Sequence, residues 1–186
     1  LERLDYKVVA GSDNIEITEL VNDSRKVVPG SVFVCISGAV SDGHQYVKDV
    51  AEKGAAAVIV EKDVEVPEGL TVIKVENTRY ALALMSAAYF GYPAEKLKTI
   101  GITGTKGKTT TTYMVKAILE EVGHKVGLIG TIEAIIGDKT IPSNNTTPES
   151  YTIQKYFAQM VEAGCDCVVM EVSSQGLMLH RTAGIM

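Results

Sequence analysis

The sequence predicts an α/β fold in two consecutive blocks: a small N-terminal α/β domain, then an incomplete domain with a mostly parallel sheet. Three observations carry this. Short apolar runs such as AAAVIV (55–60) and DCVVMEV (166–172) have the length and β-branched content of buried strands. Segments with apolar residues at helical spacing separate these runs, and Gly or Pro ends them. Strand and helix patterns alternate in both blocks, as expected of parallel strands joined by helical crossovers.

In the first block, SVFVCI (31–36) reads as a strand. Residues 43–53 read as a helix with Tyr46, Val47, Val50 and Ala51 on one face and Gly54 at its end. Residues 55–60 and 70–75 are further strands, and 78–90 is an apolar helix with Asn77 as N-cap. That helix ends at Gly91-Tyr92-Pro93, where proline blocks continuation. The boundary falls near 92–96, giving domains of residues 1–96 and 97–186. The second block opens with a strand at 97–102 and a helix at 110–122 that stops at Gly123. Strands at 125–129 and 132–136 follow, then a turn at Gly137-Asp138 and a polar loop at 143–148. A helix at 149–163, stopped by Gly164, leads into the buried strand 166–172.

Composition narrows the function. Hydrophobic content of 46% suffices for a core, yet no apolar run is long enough for a transmembrane helix. The net charge is −5 and the basic residues are scattered, which argues against nucleic acid as the main partner. Cys35, Cys165 and Cys167 form no disulfide framework, and Cys165-x-Cys167 has no second ligand pair for zinc. They read as small apolar residues in a reduced cytosol. No charged-then-apolar leader is visible, so a cytoplasmic location is expected.

The most informative segment is Gly101-Ile102-Thr103-Gly104-Thr105-Lys106-Gly107-Lys108-Thr109-Thr110. A glycine-rich turn between a strand and a helix N-terminus aims backbone N–H groups at an anion, and the helix dipole adds positive potential. Lys108 would reach the β- and γ-phosphates and the Thr109 hydroxyl would sit on Mg²⁺. A nucleoside triphosphate with Mg²⁺ is therefore expected, held by Gly104, Thr105, Lys106, Gly107, Lys108, Thr109 and Thr110. The spacing departs from the general P-loop, which wants glycine where Ile102 stands. A ligand-free Gly/Thr turn is the alternative; Gly-Lys-Thr at a strand-to-helix junction speaks against it. The block shows three or four strands, fewer than a P-loop ATPase sheet usually has, so the chain is expected to be part of a longer protein.

Glu171 ends a buried apolar strand. Ligands of open α/β sheets lie beyond the carboxyl ends of the strands, so this carboxylate is placed to hold Mg²⁺ with Thr109. The competing reading is a solvent-facing strand-end residue. His180-Arg181 could supply a cation and a donor to an anionic group, or be a solvated pair. Thr146-Thr147-Pro148, His44 and Asp23-Ser24-Arg25 are each no more than turn or helix-start residues when taken alone, and His124 reads as structural.

Taken together, these segments resemble the Mur ligases, the ATP-dependent amide-forming enzymes of bacterial peptidoglycan synthesis. Asp23-Ser24-Arg25, Pro29-Gly30-Ser31-Val32-Phe33-Val34 and Asp42-Gly43-His44 resemble the family's N-terminal uridine-nucleotide domain. Gly104 to Thr110 resembles its phosphate loop. Asn145-Thr146-Thr147-Pro148, Met170-Glu171-Val172-Ser173-Ser174 and His180-Arg181 are the most discriminating matches. Within the family the pattern is similar to the branch that adds the third amino acid to UDP-MurNAc-L-Ala-D-Glu. The resemblance implies that Ser24 and the loop Gly38, Ala39, Val40 and Ser41, with His44, contact the UDP portion. Thr146, Thr147, Ser173 and Arg181 would contact the muramoyl-dipeptide, with Lys108, Glu171 and Arg181 catalytic and Thr109 and Glu171 on the metal. The implied partners are the UDP-MurNAc-dipeptide and an amino acid, diaminopimelate or lysine.

Three positions depart from the family pattern: Lys106 where many members have Asn, Gln175 where many have His, and Leu179 where a Gln often contacts substrate. The implied reaction makes an acyl phosphate from ATP and a substrate carboxylate, and an amine then displaces phosphate. The carbamylated lysine and the C-terminal domain of the family are expected beyond residue 186, so the chain alone is expected to lack turnover. The alternatives are another ligase of the superfamily, such as the D-Ala-D-Ala-adding enzyme or a folylpolyglutamate synthase, or a non-catalytic nucleotide-binding module.

Overall fold

The computed structural model describes residues 3–38 and 41–185. The chain divides into two compact units, Leu1–Met85 and Ser86–Met186.

The first unit is built on one five-stranded sheet in the order β1-β5-β4-β3-β2. Its strands are β1 (Tyr6–Ala10), β2 (Leu20–Val21), β3 (Val32–Val34), β4 (Ala57–Val60) and β5 (Thr71–Val75). The pairs β2/β3, β3/β4 and β4/β5 are parallel, and β1 closes one edge antiparallel to β5. Every residue of β3 and β4 is buried, as their unbroken apolar runs predict. β1 and β2 are additions to the expected strands. β1 is half exposed with a register break between Val8 and Ala10, and β2 spans two residues, so neither carries a periodic pattern.

Helix α1 (Val47–Glu52) buries Val47 and Val50 among Val21, Phe33, Val58 and Val72. The four residues before it, Gly43–Tyr46, form a 3₁₀ turn rather than the first turn of the expected helix. The cause is local: the Asp42 carboxylate accepts from the His44 amide at 3.1 Å and caps the turn early. Helix α2 (Thr78–Tyr89) starts as expected, with Asn77 Oδ1 accepting from the Tyr80 amide at 2.9 Å. The division between the two units falls within this helix.

The sheet of the second unit has the order β6-β10-β7-β8-β9. Its strands are β6 (Lys98–Ile102), β7 (Val126–Ile129), β8 (Glu133–Ile136), β9 (Lys139–Pro142) and β10 (Cys167–Glu171). β6, β10 and β7 are parallel; β7, β8 and β9 form an antiparallel meander. The turn at Gly137-Asp138 is thus a hairpin turn, and β9 escapes sequence patterning because most of it is exposed.

Helices α3 (Lys108–Glu121) and α4 (Ser150–Glu162) cover opposite faces of the parallel strands. The alternation along β10 makes this possible. Val168 and Met170 pack with Ile153, Phe157 and Met160 of α4, while Cys167 and Val169 pack with Val115 and Leu119 of α3. Gly127 of β7 leaves room for Met160, whose Sδ would lie 2.4 Å from a Cβ built there. Helix α5 (Ser174–Met178) follows β10, with the Ser173 hydroxyl accepting from the Gly176 amide at 3.0 Å.

Cys35, Cys165 and Cys167 are all free and buried. Burial pushes the Cys35 thiol up to about 12, which makes it inert. Among the described residues no helix is long and apolar enough to cross a membrane.

Candidate functional site

Strand β10, flanked by β6 and β7, delivers Glu171 to the C-terminal edge of the second sheet, in register with Ile102 at the end of β6. The glycine-rich turn leaves β6 at that same edge and feeds α3. Gly107 is the N-cap residue of α3 at φ +81°, a left-handed conformation that suits glycine, and no side chain caps the helix there. Gly104 adopts φ +150°. The turn is exposed from Thr103 to Gly107, leaving it open to an incoming anion as a phosphate cradle requires. Lys108 arches back over it, with Nζ donating to the Gly104 carbonyl at 2.8 Å.

Glu171 is 1% exposed, and among the described residues no cationic side chain pairs with it. Its donors are neutral. Oε2 accepts from Thr109 Oγ1 at 3.0 Å and Thr131 Oγ1 at 3.1 Å, and Oε1 accepts from the Thr131 amide at 2.9 Å. A buried carboxylate held only by neutral donors, beside a threonine hydroxyl at a helix N-terminus, is the donor chemistry a hard divalent cation takes. The residues present fit Mg²⁺. Nearby, Tyr113 donates to Glu133 Oε1 at 2.7 Å; burial and then that carboxylate push the phenol up to about 12.

The Thr-Thr-Pro loop joins this cluster. Thr146 Oγ1 accepts from Thr131 Oγ1 at 3.0 Å. Thr147 is buried, with Oγ1 donating to the Glu171 carbonyl at 3.0 Å and accepting from the Ser173 amide at 2.9 Å. Its hydroxyl is spent within the fold and ties the loop to β10. Arg181 is likewise engaged: it donates to the Thr147 carbonyl at 2.9 Å and to Glu149 Oε1 at 2.5 Å. Its Nε is buried without an acceptor among the described residues. The structure therefore brings Thr109, Thr146, Thr147, Glu171, Ser173 and Arg181 into one connected network. Thr131, which joins two parts of it, was not among the sequence candidates. The signal available was its position just past the end of a buried strand at the ligand edge of the sheet.

In the first unit, a cavity of about 730 Å³ is lined by Asn22, Asp23, Ser24, Ser41, Gly43 and Tyr46, among others. Ser24 and Ser41 meet there; Ala39 and Val40 lie outside the described residues. Gly38 donates its amide to the Ser41 carbonyl at 2.9 Å and so closes the loop. The Asp23 carboxyl is lowered to about 2, chiefly by hydrogen bonds from the Arg25 side chain at 2.9 and 2.8 Å.

His44 stands behind this cavity, not in its wall. Its buried ring meets Asp42 Oδ1 through Nδ1 at 2.6 Å and accepts the Glu61 amide at Nε2 at 3.0 Å. Those partners fix the tautomer with the proton on Nδ1. Hydrogen bonds from Lys62, then His44, hold the Asp42 carboxyl well below its ordinary range. His124 is a structural partner of Asp166, at 2.6 Å. Cys167 comes near this pair, with ligand-type atoms within 4.8 Å of one another. Burial raises that thiol, which favours its protonated form over a thiolate ligand.

A parallel strand core, a glycine-rich turn running into a helix, and a buried carboxylate on the neighbouring strand end define the phosphate-loop class of α/β folds. Within that class the chain belongs to the Mur ligase family: residues 102–186 match the Mur ligase middle domain, and residues 16–90 match the Mur ligase family, catalytic domain. It is 49% identical over 185 residues to the UDP-N-acetylmuramoyl-L-alanyl-D-glutamate–2,6-diaminopimelate ligase of Clostridium perfringens, covering all of this chain and 38% of that protein. It is 51% identical over 180 residues to the corresponding ligase 1 of Clostridium acetobutylicum, covering 97% and 37%. The chain thus spans well under half the length of these curated relatives. A solved structure of a ligase of that same name shares the fold at a TM-score of 0.81 and 23% identity, over 96% of this chain and 36% of that one. The MurF ligase from Thermotoga maritima, solved in complex with ADP, matches at 0.53 and 23%, over 90% and 35%.

Proposed function

We propose that this chain carries the nucleotide-sugar and ATP sites of an amide-forming ligase that adds the third amino acid to UDP-MurNAc-L-Ala-D-Glu. The names of its relatives support diaminopimelate as that amino acid. The observation that carries the reading is the Thr109–Glu171 contact at 3.0 Å beside the glycine-rich turn, since docking a nucleotide alone requires no buried carboxylate there.

Residues 1–96 would hold the UDP portion, with Ser24 and Ser41 in the cavity wall and His44 bracing the loop behind. Residues 97–186 would hold ATP: the amides from Gly104 to Thr110 cradle the phosphates, and Lys108 swings from the Gly104 carbonyl to the γ-phosphate. Thr109 and Glu171 would hold Mg²⁺, which supplies charge neutralisation between ATP and the substrate carboxylate. Thr146 and Ser173 would orient the muramoyl-dipeptide, while Thr147 and Arg181 fix the loop that presents them. The substrate carboxylate oxygen bonds to the γ-phosphorus as ADP leaves; the amine then bonds to the acyl carbon and phosphate leaves. Positioning and electrostatics dominate such transfers. The cytoplasm, where ATP and reduced thiols coexist, is the compartment this reading assigns.

Two variants test it by calorimetry. Lys108→Ala should abolish binding of Mg²⁺–AMP-PNP and leave UDP-MurNAc-L-Ala-D-Glu bound. Ser24→Ala should weaken the UDP-sugar alone. Loss of the same ligand in both variants would sink the two-site reading.

A further inference from the structure

The Thr131 hydroxyl has two acceptors and one proton. It lies 3.1 Å from Glu171 Oε2 and 3.0 Å from Thr146 Oγ1, placed as donor to each. It can serve only one at a time. Its amide is committed separately, to Glu171 Oε1 at 2.9 Å, so the turn stays anchored whichever way the hydroxyl faces. The anchoring is close: a Cβ at Gly130 would lie 2.6 Å from Glu171 Oε1. Thr131 therefore stands between a buried carboxylate and the first threonine of the Thr-Thr-Pro loop, able to pair with either.

We propose that Thr131 is a positioning residue that couples cation binding at Glu171 to anion recognition at Thr146. The inference rests on the reading of Glu171 as the metal carboxylate and Thr146 as a substrate contact. A cation at Oε2 competes for the lone pairs that the Thr131 and Thr109 hydroxyls use. The Thr131 proton then turns to Thr146. With its oxygen accepting, Thr146 directs its own proton outward, toward an anionic oxygen of the substrate. Hydrogen bonds aligned this way reinforce one another, so the donor offered to the substrate strengthens when the metal is bound. No bond is made or broken; one proton changes acceptor.

The test is a pair of calorimetric titrations on the full chain, Mg²⁺–AMP-PNP with and without UDP-MurNAc-L-Ala-D-Glu, and the reverse. In the wild type each ligand should tighten the other by about fivefold, what one neutral hydrogen bond sustains, and by the same factor in both directions. Thr131→Ser should keep that factor and Thr131→Val should reduce it to one. An undiminished factor in Thr131→Val, or a factor of one in the wild type, overturns the coupling. Glu171→Gln separates the two levels. If it binds Mg²⁺–AMP-PNP as the wild type does, the metal reading fails and the coupling with it. If it loses the metal while Thr131→Val stays coupled, only the coupling fails.

Discussion

Glu171 was legible in the sequence because it interrupts an apolar run at the ligand end of a strand, where a casual surface carboxylate is out of place. What holds it was not legible. Thr131 sits 40 residues from Glu171 along the chain, and it and Gly130 look like ordinary turn residues until β7 and β10 are laid side by side. Gly130→Ala should therefore press on the carboxylate rather than on the backbone, and lower Mg²⁺–nucleotide affinity by roughly tenfold, the scale of losses around metal ligands; calorimetry reads it. His44 teaches the opposite lesson. A histidine in Asp-Gly-His invites a ligand role, yet both ring nitrogens are used inside the fold. At Asp23 the effect is one of pH. Its carboxyl is held near 2 in the folded protein, against about 3.9 when unfolded, so it adds stability at neutral pH that is lost as pH falls from about 4 through 2. The gain is small because Arg25 is exposed to solvent. An NMR titration should find this carboxyl half-protonated near pH 2 in the wild type and near its ordinary value in Arg25→Ala.

The elements that could be read from the sequence are those buried on a periodic face. α4 places Ile153, Phe157 and Met160 on one stripe, all fully buried. Phe157→Ala should cost about 3–5 kcal/mol in urea unfolding, since the cavity beneath the sheet cannot fully collapse. α2 was legible at its start because Asn77 caps it. Glu61 adds a second cap that sequence spacing does not show, accepting from the Thr78 amide at 3.0 Å and its hydroxyl at 2.8 Å. Asn77→Ala should cost about 1 kcal/mol by the same measurement. The strands that escaped, β1, β2 and β9, are short or half exposed, so tertiary pairing rather than local pattern creates them. The 3₁₀ turn before α1 escaped because a side-chain cap at Asp42, not helical periodicity, decides where that helix begins.

At the scale of the molecule, two α/β units follow one another, each with its own sheet and its own candidate site. The first has a polar-rimmed cavity around Ser24 and Ser41; the second has a phosphate turn facing a buried carboxylate. The motifs that drew attention in the sequence lie at these two places, and hydrogen bonds around Glu171 join the glycine-rich turn to the Thr-Thr-Pro loop. In the proposed function, Thr109 and Glu171 hold the divalent cation that accompanies ATP. Electron paramagnetic resonance of Mn²⁺, titrated with AMP-PNP into the wild type and Glu171→Gln, tests it most directly. The variant should bind Mn²⁺ at least about tenfold more weakly than the wild type. Equal affinity in the two proteins would contradict it.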